Sequence, residues 1–268
     1  MKNTFGFIGT GNMGGALAKA AAKALDPKDI LLANKTAAKA ENLAHELGCQ
    51  ATSVAEVAAN CGYIFLGVKP QMMADLLSSI APVLAARTDD FVLVSMAAGL
   101  TMADIQTMAG SAYPVIRIMP NTPVAVGKGV IMYDATENVS QEALDIFLSG
   151  MAYGGLLDAL PEKLIDAGSA VAGCGPAFAA MFLEALADGG VACGLPRAKA
   201  LQYAAQMLLG TAVLALETGE HPGKMKDAVC SPGGSTIAGV KALEQGAFRA
   251  AAINAVEAAF ERNKQLGK

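Results

Sequence analysis

Residues 229–239 read VCSPGGSTIAG. The stretch holds one thiol, the hydroxyls of Ser231, Ser235 and Thr236, and the glycines Gly233, Gly234 and Gly239, with no His, Lys, Tyr, Asp or Glu. Such a segment donates hydrogen bonds and grips anions, but it offers no strong acid or base. Ser231 suits an N-cap and Pro232 the first position of a helix over 232–245. The free N–H groups at that helix start would hold a carboxylate, and Thr236 would reach the reacting group. A site of this kind needs an electrophile that arrives activated. A protonated imine qualifies, because its carbon accepts hydride directly and leaves an amine, with no oxyanion to stabilise.

The hydride donor is announced near the N-terminus. FIGTGNMGGAL places Gly9, Gly11 and Gly14 in G-x-G-x-x-G order, after an apolar run and before a helical pattern that begins at Asn12 and Met13. In that context Gly9 permits a tight turn, Gly11 lets backbone amides approach a pyrophosphate, and Gly14 lets the helix pack on its strand. The next apolar run ends in ANKT, where Asn34, Lys35 and Thr36 stand without a carboxylate. A lysine with neutral neighbours welcomes a 2′-phosphate that an acid would repel, so NADPH is expected, with NADH as the alternate donor. Three further run ends should line the same crevice: Val68, Lys69 and Pro70; Ala97, Ala98 and Gly99; and Met119, Pro120 and Asn121.

Ketone reduction calls for a proton donor such as His or a Tyr–Lys pair. None of the tyrosines has Lys four residues on, and the only histidines are His45, in an early helical stretch, and His221, in a Gly-Glu-His-Pro turn. Cys49, Cys61, Cys174, Cys193 and Cys230 show no CxxC spacing, so no metal site is expected, and reduced cytoplasmic thiols are. These absences again favour an imine.

The elements that must position these residues change character along the chain. Apolar runs at 4–9, 29–34, 63–68, 91–96 and 114–119 alternate with helical patterns, as in a parallel sheet covered on both faces, and 128–134 and 154–160 add late strands. Ser53–Glu56 and Thr101–Asp104 mark helix starts. After Pro161 the strand signals stop. The expected fold is α/β: a Rossmann-type dinucleotide-binding domain over 1–160, then an all-α dimerisation and substrate domain over 161–268. Of the 268 residues 53% are hydrophobic and only 16% charged, so part of the surface should be covered by a partner copy. The net charge of −4 favours neither nucleic acid nor an anionic membrane. Uncharged windows at 167–183 and 200–216 are interrupted by glycine, proline or glutamine, and read as helices buried in an oligomer rather than membrane spans.

FIGTGNMGGAL, LGVKPQ, SMAAGLT, RIMPNTPVAVGKG, AGCGPAF and VCSPGGSTIAG follow one another in the order and spacing of a known family. On these segments, which run over nearly the whole chain, the sequence resembles the pyrroline-5-carboxylate reductases. The resemblance implies reduction of (S)-1-pyrroline-5-carboxylate to L-proline by homodimers that assemble into a decamer. It assigns substrate binding to Ser231, Gly233, Gly234, Ser235 and Thr236, with Thr236 as partner of the ring nitrogen. Val68, Lys69, Pro70, Met119, Pro120 and Asn121 fall on the cofactor side. Val54, Cys174, Ser235 and Gly62 depart from the family pattern, and Gly62, where relatives usually carry Asp, is expected to loosen its turn. The nearest rivals, the β-hydroxyacid-type dehydrogenases, use a Lys and an Asn on an interdomain helix. The helix from Pro176 to Ala192 offers Glu184 and Asp188 but neither of those. A nucleotide sensor without turnover would have no use for the 231–236 loop.

Overall fold

Apolar runs without alternation fold into strands buried on both faces. The structure, a computed structural model, describes residues 2–266; Met1, Gly267 and Lys268, at the outer ends of the two expected domains, lie outside it. The runs form β1 (Phe5–Ile8), β2 (Ile30–Ala33), β4 (Tyr63–Leu66), β5 (Val92–Ser95) and β6 (Val115–Pro120), joined by β3 (Gln50–Ala51), β7 (Gly129–Ala135) and β8 (Gly155–Ala159). They lie in one sheet in the order β3-β2-β1-β4-β5-β6-β7-β8. The first six strands are parallel, in the arrangement of a doubly wound dinucleotide-binding sheet. β7 runs antiparallel to β6. The connection over 121–128 is too short for a parallel crossover, which takes about a dozen residues.

Alternation along the strands sorts the core into two layers. Phe5, Phe7 and Phe65 point to one face, where they meet Leu17 of α1 (Asn12–Ala21), Leu43 of α2 (Ala37–Leu47) and Phe147 of α6 (Gln141–Met151). Ile8, Ile64, Leu66 and Leu93 point to the other, against α3 (Val54–Asn60), α4 (Met73–Ala85) and α5 (Met102–Ala109). Each such buried side chain contributes about 1.5–3 kcal/mol. Gly62 does not loosen its turn. Its N–H donates to Thr4 Oγ1 at 2.9 Å, and a side chain there would overlap Lys2 O.

The chain forms two compact units, of which the first runs past β8 to Cys174 and takes the chain back from Ala259. Arg117 explains the extension. It is 3% exposed on β6, and its guanidinium reaches Glu162 and Asp166 of α7 (Glu162–Gly168), each at 3.2 Å. Ile165 packs beside Met119 and Met132, and Asn263 Nδ2 donates to Asp166 O at 3.1 Å. A π-turn, Ser169–Gly173, follows α7.

The second unit, Gly175–Ala258, contains α8 (Gly175–Ala192), α9 (Arg197–Thr218), α10 (Pro222–Ala228), α11 (Ser235–Gln245) and most of α12 (Phe248–Leu266). α8 and α9 approach through small residues: a Cβ on Gly190 would lie 3.1 Å from that of Ala200. Among the described residues of this unit, the only buried apolar ones are Ala187, Ala200 and Ala204, whereas Met181 is 71% and Leu216 84% exposed. By length and composition the helical run Glu162–Ala192 would suffice to cross a membrane.

Candidate active site

The carboxyl ends of β1, β2 and β4 open into a cleft of about 640 Å³. Gly9 has φ +101, and a Cβ there would come within 2.5 Å of Gly67 O. A Cβ on Gly14 would overlap Gly9 O, so both positions are dictated by the chain's own packing. Gly11 differs, since nothing in the protein lies within 4 Å of where its Cβ would be. It caps α1 without a side-chain hydrogen bond, and the first turn carries no acid, leaving N–H groups and the positive end of the helix dipole open to an anion. Asn12 is exposed at this turn, and Met13 packs against the core. A dinucleotide pyrophosphate fits this start.

The cleft is lined by Gly9, Gly11, Asn34, Lys35, Val68 and Lys69 of the expected cofactor residues, and also by Lys39, Val54, Gly67 and Leu76. Asn34 has a different task from the one its sequence position suggests. Its Oδ1 accepts the Thr10 N–H at 3.1 Å and its Nδ2 donates to Thr36 O at 3.1 Å, so it braces the glycine loop. Thr36 is the N-cap of α2 but makes no side-chain cap, and no acid occupies that first turn. Lys69 caps a short 3₁₀ turn that Pro70 opens.

The strand ends beyond β4 are built more tightly. Ala97 is 2% exposed, Gly99 has φ +78, and Ala98 packs with Met119 against Ile165. Pro120 is buried at the end of β6. Asn121, 7% exposed, donates from Nδ2 to Ala172 O and accepts the Val130 N–H through Oδ1, both at 2.9 Å. Met119 and Asn121 thus shape this end of the sheet from inside. Sequence reasoning passed over Thr10, Lys39 and Arg117. Lys39 had a signal, lying four residues beyond Lys35 where α2 begins.

The stretch around Ser231 belongs to the second unit and corrects the expected helix start. α11 begins at Ser235, with Gly234 as N-cap, and Ser231 and Pro232 precede it. Gly233 has φ +70, which no helix continues through, and Gly234 N–H donates to Ser231 O at 3.0 Å. Proline second and a left-handed glycine third define a type II turn. A Cβ on Gly234 would lie 2.5 Å from Ser231 Oγ. Ser235 and Thr236 are exposed in the first turn of α11, which has neither a side-chain cap nor an acid. The first-turn N–H groups of α11 therefore stand open behind a turn instead of behind a serine cap.

A phosphate-ready cleft on a doubly wound sheet, followed by a helical unit with an open helix start, defines a nicotinamide-dependent oxidoreductase. Residues 4–99 match the family model described as NADP oxidoreductase, coenzyme F420-dependent, and residues 162–266 that described as pyrroline-5-carboxylate reductase dimerisation. The pyrroline-5-carboxylate reductase of Escherichia coli K12 is 39% identical with 100% of both chains covered, and that of Pisum sativum 37% with 98% of this chain and 96% of the relative covered. Among solved structures, the pyrroline-5-carboxylate reductase of Coxiella burnetii matches with a TM-score of 0.89 at 31% identity. The pyrroline carboxylate reductase of Plasmodium falciparum, with NADP bound, matches at 0.87 and 31%, and both cover 100% of each chain. The chain belongs to the pyrroline-5-carboxylate reductase family.

Proposed function

We propose that this chain reduces (S)-1-pyrroline-5-carboxylate to L-proline with hydride from NADPH, or less readily NADH, as the last step of proline synthesis in the cytoplasm. The observation that carries the reading is the open start of α11, which supplies N–H and hydroxyl donors with no acid or base. The substrate carboxylate takes the N–H groups of the first turn, and the 231–234 turn holds them in place. The Thr236 hydroxyl hydrogen-bonds the imine nitrogen and keeps it oriented. As hydride reaches the imine carbon, the C=N π electrons pass to the protonated nitrogen, which stays in the ring as the secondary amine of proline. In the first unit Gly9, Gly11, Asn12, Met13 and Gly14 present backbone to the pyrophosphate, and Lys35 faces the adenosine ribose. Val68, Lys69, Pro70, Ala97, Ala98, Gly99, Met119, Pro120 and Asn121 form the nicotinamide end, with Asn121 and Met119 acting through the shape they impose. The nicotinamide, when bound, supplies the hydride.

The chain forms oligomers, and we infer homodimers assembling to a decamer without a membrane. On α9 the exposed apolar residues form two stripes beside the lone Leu201. Leu209, Val213 and Leu216 lie opposite the buried Ala200 and Ala204, and Tyr203, Met207 and Leu214 lie beside those alanines. Two stripes support two kinds of contact with other copies. The test is a spectrophotometric assay of the purified protein. Oxidation of NADPH that depends on pyrroline-5-carboxylate and yields proline is expected; none with either nucleotide would sink the proposal. Thr236→Val should lower kcat about tenfold, the value of one lost hydrogen bond in the transition state, without weakening NADPH binding.

A further inference from the structure

We propose that Glu162 of α7, held by Arg117 of β6, is a positioning residue for hydride transfer that fixes the loop after β5. This rests on the assignment of Ala97, Ala98 and Gly99 to the nicotinamide end. The loop leaves Ser95, the last residue of β5, and ends at Thr101, the N-cap of α5. Its far end caps itself, since Thr101 N–H donates to Asp104 Oδ2 at 2.8 Å and Asp104 N–H donates to Thr101 Oγ1 at 3.1 Å. That box settles where the helix starts, but not where the loop sits on the sheet.

A bond from 60 residues away supplies the second anchor: Met102 N–H donates to Glu162 Oε1 at 2.7 Å. The same oxygen accepts from Arg117 Nη1 at 3.2 Å, and Glu162 N–H donates to Asp134 Oδ2 at 2.6 Å. Glu162 is thus fixed through both its side chain and its backbone. Within the loop, Ala98 packs with Met119 of β6 against Ile165 of α7. Arg117 gives Nη1 to Glu162 and Nη2 to Asp166, one helical turn apart, and its buried Nε has no acceptor among the described residues. A guanidinium forked onto one carboxylate would make the tighter pair; this one forgoes a hydrogen bond and spans a full turn of α7. The far end of α7 is secured as well, because Asp166 O accepts from Asn263 Nδ2 at 3.1 Å. Beyond it, Ala172 O accepts from Asn121 Nδ2 at 2.9 Å. α7 and the turn after it therefore join the loop after β5 to the end of β6, the two segments that carry the nicotinamide end. Neither Glu162 nor Arg117 lines the nucleotide cleft, so both act through the backbone they hold. Hydride transfer is steeply sensitive to the separation of donor and acceptor carbons, and a loop freed to shift would slow it.

Three variants of the full chain test the role. Glu162→Ala removes the acceptor of the Met102 N–H, Glu162→Gln keeps a neutral Oε1 in its place, and Arg117→Lys keeps the charge but cannot span two carboxylates. Rapid mixing of the NADPH complex with pyrroline-5-carboxylate should show hydride transfer slowed about tenfold in Glu162→Ala and Arg117→Lys, with Kd for NADPH unchanged. Glu162→Gln should recover most of the rate. Deuterium on the transferring carbon of NADPH should slow steady-state turnover more in Glu162→Ala than in the parent, because the chemical step becomes limiting. A merely structural role would lower Tm in all three variants and leave the rate and the isotope effect at their parent values below Tm. That result would overturn the proposal, as would equal slowing by Ala and Gln. The fluorescence lifetime of bound NADPH, read without substrate, separates this from the function. It should shorten in Glu162→Ala and Arg117→Lys and not in Glu162→Gln. A parent that reduces no pyrroline-5-carboxylate while the lifetimes follow this pattern refutes the substrate and keeps the positioning role. Full turnover with parent-like rates and lifetimes in every variant refutes the positioning role alone.

Discussion

Phe65 in the first unit and Leu216 in the second are both large and apolar, yet one is 0% exposed and the other 84%. The difference comes from what each architecture offers. A sheet wound on both sides gives the residues of its central strands a helix to face, so Phe5, Phe7 and Phe65 pack together and against Phe147 of α6 within one chain. The helices of the second unit pack through alanine and glycine, which brings backbones close and turns the long side chains outward. One unit completes its own core, and the other needs a second copy to cover its surface. The candidate site divides along the same line: the cleft at the ends of β1, β2 and β4 lies in the self-sufficient unit, and the exposed 231–236 turn in the dependent one.

The largest effect should come from opening the closed core. Phe65→Ala removes a ring whose centroid lies 4.3 Å from that of Phe7, and should cost about 3–5 kcal/mol in urea-induced unfolding. The loss should be the same at low and high protein concentration, because no other copy contributes to that core. A loss near zero would mean that the first unit tolerates voids as readily as the second.

Next in size is the opposite manipulation. Met207→Glu with Leu214→Glu places charge on one stripe of α9, where each covered side chain is worth about 1.5–3 kcal/mol of association. Analytical ultracentrifugation should show smaller species, and Tm should become strongly dependent on concentration. Leu156→Glu, at a 58% exposed position on β8 of the first unit, serves as the reference and should leave the assembly intact. If the α9 variant sediments like the parent, that stripe is not an interface.

The same contrast decided what could be read from the sequence. The long strands were legible because burial on both faces demands unbroken apolar runs, and the glycine fingerprint because packing excludes a Cβ at Gly9 and Gly14. β3 carried no signal: Gln50 and Ala51 are exposed, and their pairing with β2 is a tertiary event. Nor does an apolar run encode its direction, so the antiparallel course of β7 has no signature in 128–134. The start of α11 was misplaced by three residues because Ser-Pro is a good helix opening locally, and only the left-handed Gly233 forbids it. Arg117 meets Glu162 and Asp166 across distances in sequence that no local pattern spans.

Alkaline pH should attack the first unit at a site the second lacks. Burial pushes the Cys61 thiol up to about 12 from an ordinary value near 9, and burial likewise raises Tyr63, whose hydroxyl donates to Ala143 O at 2.6 Å. The folded chain thus holds these protons more tightly than the unfolded one. For Cys61 the stabilisation is complete below about pH 9 and lost as pH rises toward 12, at roughly 1.4 kcal/mol per pH unit, and the loss at Tyr63 sets in above about pH 10. Cys61→Ala should flatten that fall in urea midpoints measured across this range. An unchanged slope would mean that the buried thiol is not linked to unfolding.

The smallest effect tests whether the dependent unit also tolerates strain. Ala247, between α11 and α12, is the one non-glycine among the described residues with positive φ, at +55, while Gly246 before it has an ordinary φ of −79. The glycine therefore stands one residue ahead of the position that needs it. A side chain in the left-handed region costs about 1 kcal/mol or more, partly offset by the flexibility that glycine adds to the unfolded chain. Ala247→Gly should raise stability by about 0.5 kcal/mol, and adding Gly246→Ala should raise it further, since a Cβ there meets Leu243 O at an unstrained 3.5 Å. The bend feeds directly into Phe248, whose ring lies 5.4 Å from that of Phe182 on α8, so the turn sets how α12 meets the rest of its unit. If the exchange stabilises the chain while the assembly keeps its mass, the strain is a local inheritance. If it stabilises the chain but loosens the assembly, the left-handed alanine holds α12 in the pose that a second copy recognises, and the second unit's geometry is set by its interface.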